Sequence, residues 1–152
     1  MAAGAMMAYY AIWYPKMWLP NFLDPRWNTL PRPLDEHMRY AASASKRLAR
    51  FTFHQMMRYQ KKMESKQSLL NRIVDVGTEI FTMAATCSFA EAQKRAGLSN
   101  AVDLADGFCR ESRCRIEQYF RENGHSHDKM NLKIAKRVLA REYEWLENEI
   151  IK

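Results

Sequence analysis

Three charged side chains on one predicted helix are the residues whose types and spacing best fit chemistry. Arg72, Asp75 and Glu79 lie in "KQSLLNRIVDVGTEIFTMAATCSFAEA", residues 66–92. Spacings of three and four residues place them along one edge of a helix. Two carboxylates arranged in this way are suited to acid–base catalysis when the pKa of one of them is raised.

The arginine in this cluster argues against catalysis. A cation beside a carboxylate favours the charged form and therefore lowers the carboxylate pKa. No candidate nucleophile, histidine or glycine-rich loop accompanies the three residues in the sequence. We therefore predict no catalytic residue, and we interpret Arg72, Asp75 and Glu79 as an ion-pair network that fixes this helix against a neighbour.

Small residues on the same helix predict how it packs. A glycine in a helix interior costs roughly 1 kcal/mol relative to alanine, so Gly77 predicts that another helix approaches closely. Ala84 and Ser88 continue the seam of small residues. The sequence therefore places this helix at the centre of the fold.

The distribution of proline divides the chain. All five prolines lie between Pro15 and Pro33, and proline is poorly tolerated inside helices. We predict a proline- and aromatic-rich arm, residues 1–33, followed by a helical bundle domain, residues 34–152. Periodic apolar residues and the breaks at glycines 97 and 124 predict four helices. Their approximate ranges are 34–65, 66–96, 99–123 and 126 onward, with the first two either separate or one kinked rod.

Short connections between these helices favour antiparallel neighbours. The predicted fold is therefore all-α, an up-and-down antiparallel four-helix bundle. In the fourth helix the side chains expected to face inward are Leu132, Ala135, Val138, Leu139, Trp145, Leu146 and Ile150.

Composition and charge limit the partners and the compartment. The chain has 152 residues, a net charge of +7 and 47% hydrophobic residues, which is typical of a globular domain with an anionic partner. Three cysteines in helical sequence predict free, buried thiols and a reducing, cytoplasmic environment. The stretch "HSHD", residues 125–128, lacks the further ligands that a zinc site requires, so no metal site is predicted.

Aromatic and basic residues form a candidate contact surface. Aromatic rings crowd into the arm, and exposed positions of the first bundle helix are strongly basic, a combination used at bilayer surfaces. The residues predicted to contact a membrane or a partner are Trp13, Tyr14, Trp18, Phe22, Trp27, Arg58, Lys61 and Lys62. Alternatively, the rings cover the bundle's own apolar face, and the cations are simply solvated. Nucleic acid is disfavoured because no helix-turn-helix or zipper pattern accompanies the charge.

Two longer stretches resemble a known family. "RYQKKMESKQSLLNRIVDVGTEIFTMAATCSFAEA" and "LADGFCRESRCRIEQYF" are similar to the C-terminal region of large acyl-CoA dehydrogenases, both the very-long-chain mitochondrial type and long bacterial members. "YAIWYPKMWLP" and "AKRVLAREYEWLE" also resemble the bacterial members. The matching positions are Gln67, Leu69, Leu70, Arg72, Asp75, Met83, Ser88, Ala90, Asp106, Cys109, Arg115 and Ile116.

The resemblance implies a helical bundle appended to a FAD-dependent core of fatty-acid β-oxidation. In that family the bundle packs on the core and is associated with dimer assembly and membrane binding. No segment here resembles the flavin or acyl-CoA contacts, so the implied oxidoreductase activity belongs to a complete dehydrogenase. We expect a non-catalytic bundle that binds no cofactor itself and supports assembly, as a homodimer or on a dehydrogenase core, peripherally at a cytoplasmic membrane surface. The alternative is an independent basic module for anionic lipid or nucleic acid.

Overall fold

The computed structural model describes residues 2–19, 30–122 and 127–147. These residues are mostly helical and contain no strand, so the predicted all-α class is confirmed. The helices are α1 (Ala2–Lys16), α2 (Leu34–Tyr59), a 3₁₀ helix (Gln60–Ser65), α3 (Gln67–Arg95), α4 (Ala101–Glu122), α5 (Asp128–Leu139) and α6 (Glu144–Glu147).

The first two predicted bundle helices are separate. The backbone of Gln60 adopts φ 46°, a conformation that residues other than glycine rarely take. This change of backbone conformation ends α2. The 3₁₀ helix then carries the chain to α3, where regular hydrogen bonding resumes at Gln67. The kinked-rod alternative is therefore wrong.

The turn between α3 and α4 follows the glycine signal. Gly97 has φ +96°, its amide donates to the Lys94 carbonyl at 3.0 Å, and the Leu98 amide donates to the Gln93 carbonyl at 3.0 Å. These two bonds form a Schellman motif, which requires a left-handed residue and is favoured by glycine. The predicted helix end at Gly97 is confirmed.

The core lies where α2, α3 and α4 meet. Its buried members among the described residues are Leu34, Ala44, Val76, Met83, Cys87, Ala90, Ala105, Cys109 and Ile116. Four of the nine belong to α3, at helical spacing, which supports its predicted central position. α3 is also long and apolar enough to span a bilayer, judged by length and composition alone. In this fold, the apolar side chains of α3 that face α2 and α4 are buried in the core.

The chain forms two compact units, Met1–Phe120 and Arg121–Lys152. α1 belongs to the same unit as α2 and α3, and the domain boundary expected near residue 33 stays a prediction. The predicted arm begins with a helix, α1, which carries Pro15 in its last turn.

The prediction for the fourth helix is wrong. Side chains expected to be inward are exposed in α5 and α6, including Leu139 at 84% and Trp145 at 63%. Leu132, Val138 and Leu146 are exposed as well, and Ile150 lies outside the described residues. An apolar periodicity identifies a face that favours burial, but it does not identify what covers that face.

Candidate functional site

Glu79 on α3 forms a two-pronged ion pair with Arg115 on α4. Arg115 donates from Nε to Glu79 Oε1 at 2.7 Å and from Nη2 to Oε2 at 3.1 Å. The same guanidinium donates to the Ser112 hydroxyl at 3.1 Å and lies 3.3 Å from Glu111. Hydrogen bonds from Arg115 lower the pKa of Glu79, even though partial burial acts in the opposite direction.

The predicted network of Arg72, Asp75 and Glu79 therefore requires correction. Asp75 is exposed, and within the described residues it forms no ion pair, whereas Glu79 is held by a residue 36 positions along the chain. Arg72 is half-buried on the same helix. Glu79 links α3 to α4, and its lowered pKa favours the charged form, which is the opposite of what a carboxylate poised for proton transfer near neutral pH requires.

The predicted seam of small residues also differs from the structure. A Cβ added at Gly77 would lie 3.8 Å from Leu48 Cδ2 of α2, which is an ordinary van der Waals contact. Ala84 is half-buried, while Ser88 is exposed and donates to the Ala84 carbonyl of its own helix at 2.9 Å. The face of α3 in the core is instead formed by Val76, Met83, Cys87 and Ala90.

A second polar link joins α2 to α4, and sequence reasoning missed it. His37, only 3% exposed, contacts Asp106 through Nε2–Oδ1 at 2.8 Å, and Arg110 donates to both Asp106 oxygens at 3.0 and 2.9 Å. The bond to His37, followed by that from Arg110, lowers the pKa of Asp106. The spacing of Asp106 and Arg110 by four residues was a visible signal, but nothing local indicates the histidine 69 positions away.

The aromatic residues of α1 pack on α2. The ring of Phe53 lies 5.2 Å from Tyr10, 6.0 Å from Trp13 and 5.3 Å from Tyr14, between centroids. The Tyr14 hydroxyl hydrogen-bonds His54 Nε2 at 2.6 Å. Part of the predicted contact surface is therefore occupied by the protein's own second helix, as the alternative interpretation held. Phe22 and Trp27 lie outside the described residues.

Two cavities open along this junction, which we call the aromatic groove. One has a volume of about 440 Å³ and the other about 630 Å³. Tyr10, Phe53 and Met56 line both cavities, and Met57 lines the larger one while remaining 62% exposed. The groove thus presents apolar and aromatic surface to its surroundings.

Much of the basic charge on α2 is paired within the fold. Lys46 donates to the Leu19 carbonyl at 2.9 Å, and Arg50 donates to the Met17 carbonyl while lying 4.4 Å from the Trp18 ring. Cations at carbonyls that follow a helix end are stabilising. Arg47 similarly bonds Glu117 on α4 at 2.8 Å. The exposed predicted cations are those beyond the groove: Arg58, Lys61 and Lys62.

The outer face of α3 is apolar and exposed. Val74, Phe81 and Phe89 are 63, 71 and 64% exposed, and their spacings of seven and eight residues place them on one face. The positions between them on this face are Thr78, Ala85 and Ser88, which are also exposed and carry no charge. The outer face therefore runs uncharged for roughly four turns of helix.

On α4, Leu104 and Phe108 are also exposed, at 77 and 38%, and the guanidinium of Arg115 lies 5.9 Å from the Phe108 ring. The two helices run antiparallel, with Cys87 level with Cys109, so Phe89 and Phe108 lie at the same end of the pair. Large apolar side chains clustered on an uncharged face are typical of a protein contact surface.

Residues 32–143 match the family described as ACAD9/ACADV, C-terminal domain. The chain is also 36% identical over 153 aligned positions to proteins named "Probable acyl-CoA dehydrogenase FadE10" from Mycobacterium bovis and Mycobacterium tuberculosis. These alignments cover 99% of this chain and 24% of each relative, so the chain spans about a quarter of their length. No solved structure matches it.

Proposed function

The chain belongs to the family of ACAD9/ACADV C-terminal domains, and on this premise we propose that it docks as a non-catalytic bundle on the core of an acyl-CoA dehydrogenase. The core would carry the FAD and perform fatty-acid oxidation, while this chain would stabilise the assembly. The observation that carries the proposal is the outer face of α3, with Phe81 71% and Phe89 64% exposed.

The physical reason is the free energy of covering these rings. Full burial of a phenylalanine side chain contributes roughly 1.5–3 kcal/mol, and no charge on the outer face has to be desolvated along with it. The relatives that match this chain are about four times its length, since it spans 24% of each. In those relatives, the remaining three quarters of the chain is a protein region large enough to cover this face and belongs to the same polypeptide as the matching segment.

The proposal is tested by mixing the purified chain with the flavin-containing part of a FadE10-type dehydrogenase that lacks its own matching C-terminal quarter. We expect the two to co-elute in size-exclusion chromatography, with flavin absorbance in the shared peak. The double substitution Phe81→Ser with Phe89→Ser should weaken this binding at least about 30-fold, because central aromatic contacts each contribute on the order of 1–2 kcal/mol or more.

Met57→Ser is the matched control, since Met57 is 62% exposed but lies on the aromatic groove. This variant should bind the core as the unaltered chain does. Equal binding by the double variant, with folding verified by circular dichroism, would overturn the assignment of this face. Concentration-dependent association of the chain with itself, abolished by the same double substitution and unaffected by the core, would instead indicate a homodimer.

A second role is favoured by the aromatic groove and its neighbouring cations. We propose that the aromatic groove and the 3₁₀ helix after α2 rest on an anionic, cytoplasmic membrane surface, with Met57 at 62% exposure as an apolar anchor beside the rings of the groove. Lys61 and Lys62 lie in the exposed 3₁₀ helix that follows α2. Each basic residue near an anionic surface contributes about 1 kcal/mol.

The test is sedimentation of the chain with phosphatidylserine-containing vesicles at increasing salt. Lys61→Ser with Lys62→Ser should lower the binding constant by about 30-fold at physiological ionic strength, in proportion to the two lost charges. Lys94→Ser, also an exposed lysine but at the far end of α3, is the control and should bind normally. Binding that is insensitive to both salt and the lysines would exclude this role.

A further inference from the structure

Two buried thiols face each other across the α3–α4 contact. Cys87 and Cys109 are both 0% exposed, and their Sγ atoms lie 3.6 Å apart as free thiols. A disulfide has an S–S length of about 2.04 Å, so the sulfurs need to approach by only about 1.6 Å. The third cysteine, Cys114, is exposed and separate from this pair.

We propose that Cys87 and Cys109 are an oxidative modification site, which a low-molecular-weight hydroperoxide converts into a disulfide that links α3 to α4. The site is independent of core docking and membrane binding, because neither sulfur belongs to the outer face or to the aromatic groove. Two charged residues of α4, Asp106 and Arg113, act on the pKa of Cys109 in opposite directions.

The surroundings distinguish the two thiols. The hydrogen bond shared with Cys87 is the largest influence on the pKa of Cys109 and lowers it, whereas burial and the charge of Asp106 act in the opposite direction. The same hydrogen bond, together with burial, raises the pKa of Cys87. Since the thiolate is the reactive species, the two pKa directions favour Cys109 as the sulfur that attacks the oxidant and Cys87 as the one that resolves the product, and the opposite order gives the same disulfide.

The chemistry balances in two steps. The Cys109 sulfur attacks one oxygen of hydrogen peroxide, the O–O bond breaks, and the second oxygen leaves as water with the thiol proton. The resulting sulfenic acid is attacked by the Cys87 sulfur: the S–S bond forms, the S–O bond breaks, and the hydroxyl leaves as water with the Cys87 proton. Two thiols lose two electrons in total, and one peroxide becomes two waters.

A disulfide between Cys87 and Cys109 would stabilise the fold by closing a loop in the chain. The two cysteines are 22 positions apart and belong to the antiparallel helices that also carry the Glu79–Arg115 pair. Closing this segment covalently restricts the unfolded chain and therefore favours the folded state. The disulfide would also fix α3 against α4 directly behind the outer face.

The experiment uses the full chain with Cys114→Ser, a substitution at an exposed position that leaves only the pair. The folded protein is treated with dilute hydrogen peroxide, and the remaining thiols are alkylated under denaturing conditions before mass spectrometry. We expect a chain that has lost two hydrogens, accepts no alkyl group and gives a crosslinked Cys87–Cys109 peptide. Its Tm should rise by about 5–10 °C and return to the starting value with dithiothreitol.

The outcomes are decisive in both directions. The crosslinked peptide together with a reversible rise in Tm supports the site. The proposal is overturned if both cysteines remain alkylatable under conditions that oxidise Cys114 in the unaltered chain, or if they form sulfinic acids without a crosslink. The double variant Cys87→Ala with Cys114→Ser is the control, because it cannot form the disulfide. An equal rise in its Tm would show that the stabilisation comes from another group. If this control does not fold, the presence or absence of the crosslinked peptide decides whether the site exists.

Discussion

At the residue scale, Glu79 and Arg115 show how one ion pair can orient two helices. The contact is charge-assisted and two-pronged, so it fixes both the distance and the rotation of the side chains. Glu79 is largely shielded while Arg115 remains 34% exposed, so the pair avoids the full cost of burying two charges. Its role is to align α3 and α4.

We predict that Glu79→Gln lowers the free energy of unfolding by about 2 kcal/mol, because Arg115 loses the charge that satisfies it. Asp75→Asn is the matched control, since Asp75 is an exposed carboxylate on the same helix and should change stability by less than about 0.5 kcal/mol. Urea unfolding at neutral pH measures both variants. A larger loss in Asp75→Asn would restore the network predicted from the spacing.

The pH dependence of the unaltered chain follows from the same contact. The folded-state pKa of Glu79 is lowered, as is that of Asp106. The stability they contribute is therefore complete above the unfolded carboxyl pKa of about 4 and is lost as the pH falls through the lower folded values. In Glu79→Gln the decline of the urea midpoint with acid should be shallower.

At the element scale, the two glycines of the α3 region behave differently. Gly77 lies inside α3, with room for a methyl group at 3.8 Å from Leu48 Cδ2, whereas Gly97 adopts φ +96° beyond the helix end. Side chains are tolerated at the first position and strained at the second. Only Gly97 is required by its backbone conformation.

We therefore predict that Gly77→Ala raises the free energy of unfolding by about 1 kcal/mol, the difference in helix propensity between the two residues. Gly97→Ala should lower it by roughly 1–2 kcal/mol, because alanine is strained in a left-handed conformation. Thermal or urea unfolding distinguishes the two results. Destabilisation by Gly77→Ala would mean that α2 approaches α3 as closely as the sequence alone predicted.

The helices differ in how well the sequence predicted their ranges. α3 and α4 were predicted nearly to their ends, since Gly97 and the periodic apolar residues are local signals. α1 was missed because Pro15 is typical of a helix break, and the helix does end one residue after it, at Lys16. The exposed apolar face of α5 was predicted to be buried, because an amphipathic pattern indicates a face that favours burial without indicating what covers it.

At the scale of the whole molecule, the positive charge is divided into two groups. Arg47, Arg50 and Lys46 hold α1 and α4 against α2, whereas Lys61 and Lys62 remain exposed. The net charge of +7 therefore does not show where an anionic partner would bind, because several of the cations on α2 serve contacts within the fold. The apolar outer face of α3 is the more direct indication of a macromolecular contact.

The sequence by itself determined the helical class, the ends of α3 and α4 and the family resemblance, because these depend on residues close together in the chain. Only the tertiary structure decided that Glu79 pairs with Arg115, that His37 meets Asp106 and that Cys87 faces Cys109. It also decided which apolar side chains remain uncovered. Each of these contacts joins residues that are far apart in the chain. The local periodicity of a sequence does not indicate which distant side chain will contact a given residue.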